Sequence, residues 1–93
     1  MAKLSNLTRT LIERGKTHGD FRTNGSIMQR LKTDMRAEPG WDNLTEEQKE
    51  ALEMIQHKIG RILSGNPNEP DHWKDIAGYA TLVQQILEGT YRV

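Results

Sequence analysis

Two pairs of carboxylates at helical spacing are the residues of this sequence best placed to do chemistry. Glu50 and Glu53 stand at i, i+3, and Asp71 and Asp75 at i, i+4. Either spacing sets both side chains on one face of a helix, where two carboxylates can share a divalent cation. Lys58 and Arg61 lie between the pairs along the chain and are the cations that would meet phosphate charge. Two carboxylate pairs on adjacent helices are what a Mg²⁺-phosphate site requires, with oxygen ligands from both helices. Trp73 and Tyr79 add aromatic faces on which a nucleotide base would stack, and Asp20, beside Arg22, is a further polar ligand contact.

Each of these residues also has a plainer reading. Turned by about 100° per residue, Glu50, Glu53, His57 and Arg61 gather opposite an apolar stripe centred between Ile55 and Ile59. Such a set is commonly a solvated face, unless the helix has a second buried side, as it would in a dimer. Met54, among these polar residues, argues for that second side. Lys58 borders the stripe, so its stem would cover the core while its head pairs with Asp75 or edges a pocket. Asp71 directly follows Pro70, where a helix N-cap belongs. Trp73 and Tyr79 both fit the core, and Phe21 fits a plug at the end of a bundle.

The elements that must carry these residues are helices. Leu4, Leu7 and Leu11, with Ile12 beside them, predict a helix over about 3–14, ended by Gly15 and the polar run to Asp20. Ile27, Met28, Leu31 and Met35 predict a second over 24–37, capped by Thr23, Asn24 or Ser26 and stopped by Pro39-Gly40. The third, 45–64, opens with a capping box at Thr45 and Gln48, carries Leu52, Ile55, Ile59, Ile62 and Leu63, and ends at Gly65. The fourth, 71–88, carries Trp73, Ile76, Ala80, Val83 and Leu87 and stops at Gly89. No stretch alternates as a strand does. The expected fold is all-α: one domain over 1–93, a small antiparallel bundle of about four helices whose last three form the body.

Composition narrows the classes. Thirteen basic residues balance thirteen acidic ones in 93, which excludes a nucleic-acid binder working by bulk electrostatics. The absence of cysteine excludes disulfides and thiolate chemistry and predicts a cytoplasmic protein. No apolar run is long enough for a membrane span. Leu, Ile, Val and Phe together number only 19, a lean core for a chain of zero net charge; both features point to a homo-oligomer.

His18-Gly19-Asp20, Leu44-Thr45-Glu46-Glu47, Lys58-Ile59-Gly60-Arg61-Ile62-Leu63 and Asp71 through Ala80 together resemble a family of small bacteriophage and prophage proteins. That family is in turn distantly similar to the all-α nucleoside triphosphate pyrophosphohydrolases of the MazG type. The resemblance implies a helical dimer in which a Glu-x-x-Glu and a Glu-x-x-Asp hold Mg²⁺ for hydrolysis between the α- and β-phosphates. Glu50 and Glu53 match the first motif, and Asp75 the aspartate of the second. His72 stands where the second motif has glutamate, with Asp71 one residue away as an imperfect substitute, a departure that sets catalysis against plain nucleotide binding. The expected function is therefore to act on or bind a nucleotide, with Mg²⁺ as cofactor if hydrolysis occurs. The alternative is a homo-oligomeric interaction module that modulates a host or phage protein.

Overall fold

Residues 5–92 are described by a computed structural model of the chain. Among them the regular elements are all helical: α1 (Asn6–His18), α2 (Phe21–Ala37), a short 3₁₀ helix (Pro39–Asn43), α3 (Glu46–Ser64) and α4 (Pro70–Glu88). Leu4, placed on the first helix by its spacing, lies outside the described residues.

The ends of the helices follow local chemistry. Thr45 and Gln48 form the reciprocal capping box, each side chain bonding the other's backbone N–H. Gly89 closes α4 in the left-handed conformation. Three ends differ from the sequence reading. α1 runs through Gly15 to His18, because one helical glycine costs only about 1 kcal/mol and the last turn is anchored from outside. Asn66 N and His72 Nε2 both donate to the Thr17 carbonyl at 3.0 Å, and Ser64 Oγ donates to the His18 carbonyl at 3.2 Å. α2 starts at Phe21 because the Asp20 carboxylate caps it, accepting from Thr23 N at 3.2 Å. At α4 the N-cap is Glu69 and Pro70 takes the first helical position, so Asp71 lies inside the first turn and caps nothing.

The body is a layer one helix thick. α3 is the common neighbour: Gly60 meets Asn24 and Met28 of α2 along one edge, and Lys58 bonds Asp75 of α4 along the other. α2 and α4 have little contact with each other, and α1 touches the layer only through its C-terminal end. The molecule measures 58 × 31 × 22 Å with a radius of gyration of 16.3 Å, against about 12 Å expected for a compact domain of this length.

This architecture inverts the usual burial. Among the described residues Ala51 is the one buried hydrophobe, while Asn24, Gln56, Lys58 and His72 are buried. The apolar stripe read from the sequence is split: Ile55 and Ile62 are half-buried, while Leu52, Ile59 and Leu63 are exposed, Leu63 by 67%. Phe21 plugs nothing and is 87% exposed. The reason is geometric. In a single layer the seams between helices are covered whatever their chemistry, and the two broad faces stay open. The accessible surface, 7226 Å², exceeds by about 1,700 Å² the roughly 5,500 Å² of a compact monomer of this mass.

Candidate functional site

The rotation of α3 divides its residues between the two open faces. Leu52, Ile59 and Leu63, at i, i+7 and i+11, fall within about 40° of one another and form a row on one face. Glu50, His57 and Arg61 fall on the opposite face, flanked by α2 and α4.

That second face collects most of the charged residues singled out by spacing. Glu53 is held by α2: the Arg36 guanidinium donates to Glu53 Oε1 from Nε at 3.1 Å and from Nη2 at 2.6 Å. On the other edge Lys58 Nζ meets Asp75 Oδ2 at 2.6 Å, the flanking pair that the sequence allows. Lys58 is buried, so its stem fills the α3–α4 seam and its charge needs this partner. The Lys58 hydrogen bond holds the Asp75 carboxyl below its usual range, with Arg61 and His72 adding to the effect. Burial lowers the pKa of His57, and the cations Lys32 and Arg61 lower it further against Glu53 and Glu50. Arg61 thus sits within electrostatic reach of both His57 and Asp75, and among the described residues it makes no ion pair.

Glu50 and Tyr79 belong to a neighbouring feature. They edge a groove of about 680 Å³ between the first half of α3 and the second half of α4, floored by Ala51, Leu82, Val83 and Ile86. Glu46, Glu47 and Tyr91 complete its rim.

The remaining candidates lie elsewhere. Asp20 is engaged as the cap of α2. Trp73 Nε1 donates to the Pro67 carbonyl at 2.8 Å and pins the loop before α4, with its ring half exposed on the side of α4 away from Asp75. Asp71 is exposed in the first turn of α4. Among the described residues no three carboxylates or histidines come together as a metal-holding group. Mg²⁺ on this chain would draw on Glu50 and Glu53, with Arg36 giving up its hold on the latter.

His72, the residue that breaks the second motif, has a structural task. It is 2% exposed, donates to the Thr17 carbonyl and meets the His18 ring edge-on, with centroids 5.2 Å apart. The sequence carries no spacing signal for this contact, because it joins residues 55 apart in the chain. Lys32 and Arg36 were likewise illegible, since only the packing of α2 brings them to α3.

Residues 4–87 match the model of a family described as a domain of unknown function, DUF6378. The chain belongs to this family. The match runs from α1 to the last turn of α4, so α1 is part of the family's domain and not an appendage. No curated protein and no solved structure matches the chain.

A pH dependence follows from the two histidines. His18 and His57 both have lowered pKa values, burial being the largest cause in each. Folding therefore favours the neutral rings, and the stability this gives is present above the ordinary histidine pKa of about 6.5 and lost as pH falls through it. The melting temperature is expected to fall between about pH 7 and pH 5.5. His18→Gln with His57→Gln should flatten that slope; an unchanged slope in the double variant would refute the assignment.

Proposed function

We propose that the chain is one part of a homo-oligomer that binds a nucleotide on the charged face of α2, α3 and α4. One observation carries the reading: Arg61, unpaired among the described residues, shares the face of α3 opposite the Leu52–Leu63 row with Glu50 and His57, and lies within electrostatic reach of Asp75 on α4. An unpaired guanidinium beside further cations is a fork for phosphate oxygens, and the neighbouring carboxylates suit a bridging Mg²⁺ or a ribose hydroxyl. In the assembled form, layers pair as an antiparallel bundle through the row Leu52, Ile59 and Leu63, which leaves the charged face to ligand. The resemblance to MazG-type enzymes supports the same reading, and the place we assign the chain is a cytoplasm, that of a host cell if the chain is phage-encoded.

Binding without hydrolysis is the form we favour. Arg36 and Lys58 already occupy Glu53 and Asp75, and His72 is committed to α1. The test is a thermal-shift screen of the full chain against mono-, tri- and cyclic nucleotides, with and without Mg²⁺. A ligand at 100 times its Kd should add about 2.7 kcal/mol, a rise of several degrees. Arg61→Gln should abolish the rise while leaving the unliganded melting temperature nearly unchanged. No shift with any nucleotide would end this reading.

A second reading rests on a different observation, the exposure of Phe21, Leu7 and Leu11 at the α1 end of the molecule. A surface of this kind suits a module that binds and modulates another protein. Under that reading Arg61→Gln leaves activity intact and Phe21→Ser removes it.

A further inference from the structure

α1 is anchored in its own chain at its C-terminal end, and the rest of its length is exposed. None of its residues is buried, and only its C-terminal end touches the layer, at Ser64, Asn66 and His72. Turned by about 100° per residue, Leu7, Leu11 and Ile12 span one apolar arc, with Arg14 at one border and Arg9 at the other. Glu13 is taken by Lys16 at 2.9 Å, whereas Arg9 and Arg14 make no ion pair among the described residues. α1 is thus an amphipathic helix with two uncommitted guanidinium groups framing its apolar side.

The groove between α3 and α4 is its complement. The floor is aliphatic, and the rim carries Glu46, Glu47 and Glu50, which also make no ion pair among the described residues. A 13-residue helix is about 20 Å long, enough to lie along such a groove. Its own α1 is tethered at the opposite end of the layer, where α3 ends and α4 begins. A second copy has no such restriction. The surface excess of about 1,700 Å² is near twice the roughly 800 Å² that each partner gives to a standard interface, so the chain has area for this contact beside the Leu52–Leu63 face.

We infer that α1 of one copy docks in the α3–α4 groove of a second copy, Leu7, Leu11 and Ile12 on the aliphatic floor and Arg9 and Arg14, at the two borders of that arc, toward the glutamate rim. The contact is reciprocal, each copy lending its α1 and receiving its partner's. It rests on the homo-oligomer of the proposed function and adds which segment meets which surface.

Charge reversal tests it with full chains. Arg9→Glu with Arg14→Glu makes α1 acidic above an acidic groove; Glu46→Lys with Glu50→Lys makes the groove basic against a basic α1. Each variant alone should sediment as a smaller species than the unmodified protein, with helical content retained by circular dichroism. Mixed in equal amounts, the two should recover the unmodified mass, because both α1–groove contacts are then of opposite charge. Variants that keep the full mass alone, or a mixture that recovers nothing, overturn the exchange while the homo-oligomer stands. An unmodified protein that is monomeric throughout overturns the homo-oligomer and the exchange with it. Leu11→Cys in one chain and Leu82→Cys in another gives a placement readout, since the protein has no cysteine of its own. A disulfide between the two chains is expected, and none under oxidising conditions counts against the docking.

Discussion

Gly60→Val is expected to be the most destabilising single substitution in the body, costing about 3 kcal/mol or more. A Cβ at Gly60 would stand 2.6 Å from Asn24 Oδ1 and 3.1 Å from Met28 Cγ, on the seam where α2 meets α3. Valine adds two methyl groups beyond that Cβ, and α2 must withdraw to admit them. The withdrawal exposes Asn24 and loosens the Arg36–Glu53 contact further along the same seam. Thermal melting should show a fall on the order of 15 °C. Gly78→Ala is the contrast, because nothing lies within 4 Å of a Cβ there. A helical Gly→Ala in open space should raise stability by about 0.5–1 kcal/mol. A Gly60→Val protein as stable as the unmodified one would mean that α2 does not pack on α3 as described.

Ile59→Glu carries the second large effect, on assembly and not on the fold of one chain. Ile59 is 37% exposed and lies at the middle of the Leu52–Leu63 row, so a glutamate there meets solvent in an isolated layer. In a paired layer it places a charge without a partner in an apolar contact, which costs several kcal/mol. Self-association should weaken by on the order of 10³-fold, while circular dichroism keeps its helical signal. Loss of helix without change of mass would show instead that Ile59 is core.

The fold was legible wherever the determinant was local. The capping box at Thr45 and Gln48, the stop at Pro39-Gly40 and the left-handed Gly89 each act within a turn of the residues that encode them. Lys58–Asp75 was legible because a five-residue loop forces α3 and α4 together, and both residues border their stripes. The cap at Asp20 went unread because the polar run from Lys16 holds several good capping residues. The end of α1 at His18 was not legible at all, since Ser64, Asn66 and His72 fix it from 46 or more residues away.

The larger difference concerns what the apolar stripes face. Periodicity shows that Leu52, Ile59 and Leu63 share a side of α3, but it does not show that the side meets this chain. Here α2 and α4 flank α3 along its edges, so the seams hold Gly60, Ala51 and Lys58, and the leucine row stays open. For the candidate site the consequence is similar. Glu50 and Arg61 share the side of α3 opposite its leucine row and Asp75 pairs with Lys58 on the α4 edge, whereas Trp73 and Asp20 are spent on a loop and a cap. Two buried amides, Asn24 and Gln56, keep polar atoms without partners inside the α2–α3 region. Sequence gave no warning of them, and their cost is another reason a lone layer is poorly stabilised.

The claim on which the rest depends is that this chain is a part of a larger assembly, and sedimentation equilibrium of the unmodified protein tests it most directly. At micromolar concentration the mass should be that of a dimer or a larger closed oligomer of the 10.7 kDa chain, and Ile59→Glu should reduce it. A mass of one chain at every concentration, with an unchanged melting temperature on dilution, would contradict the account.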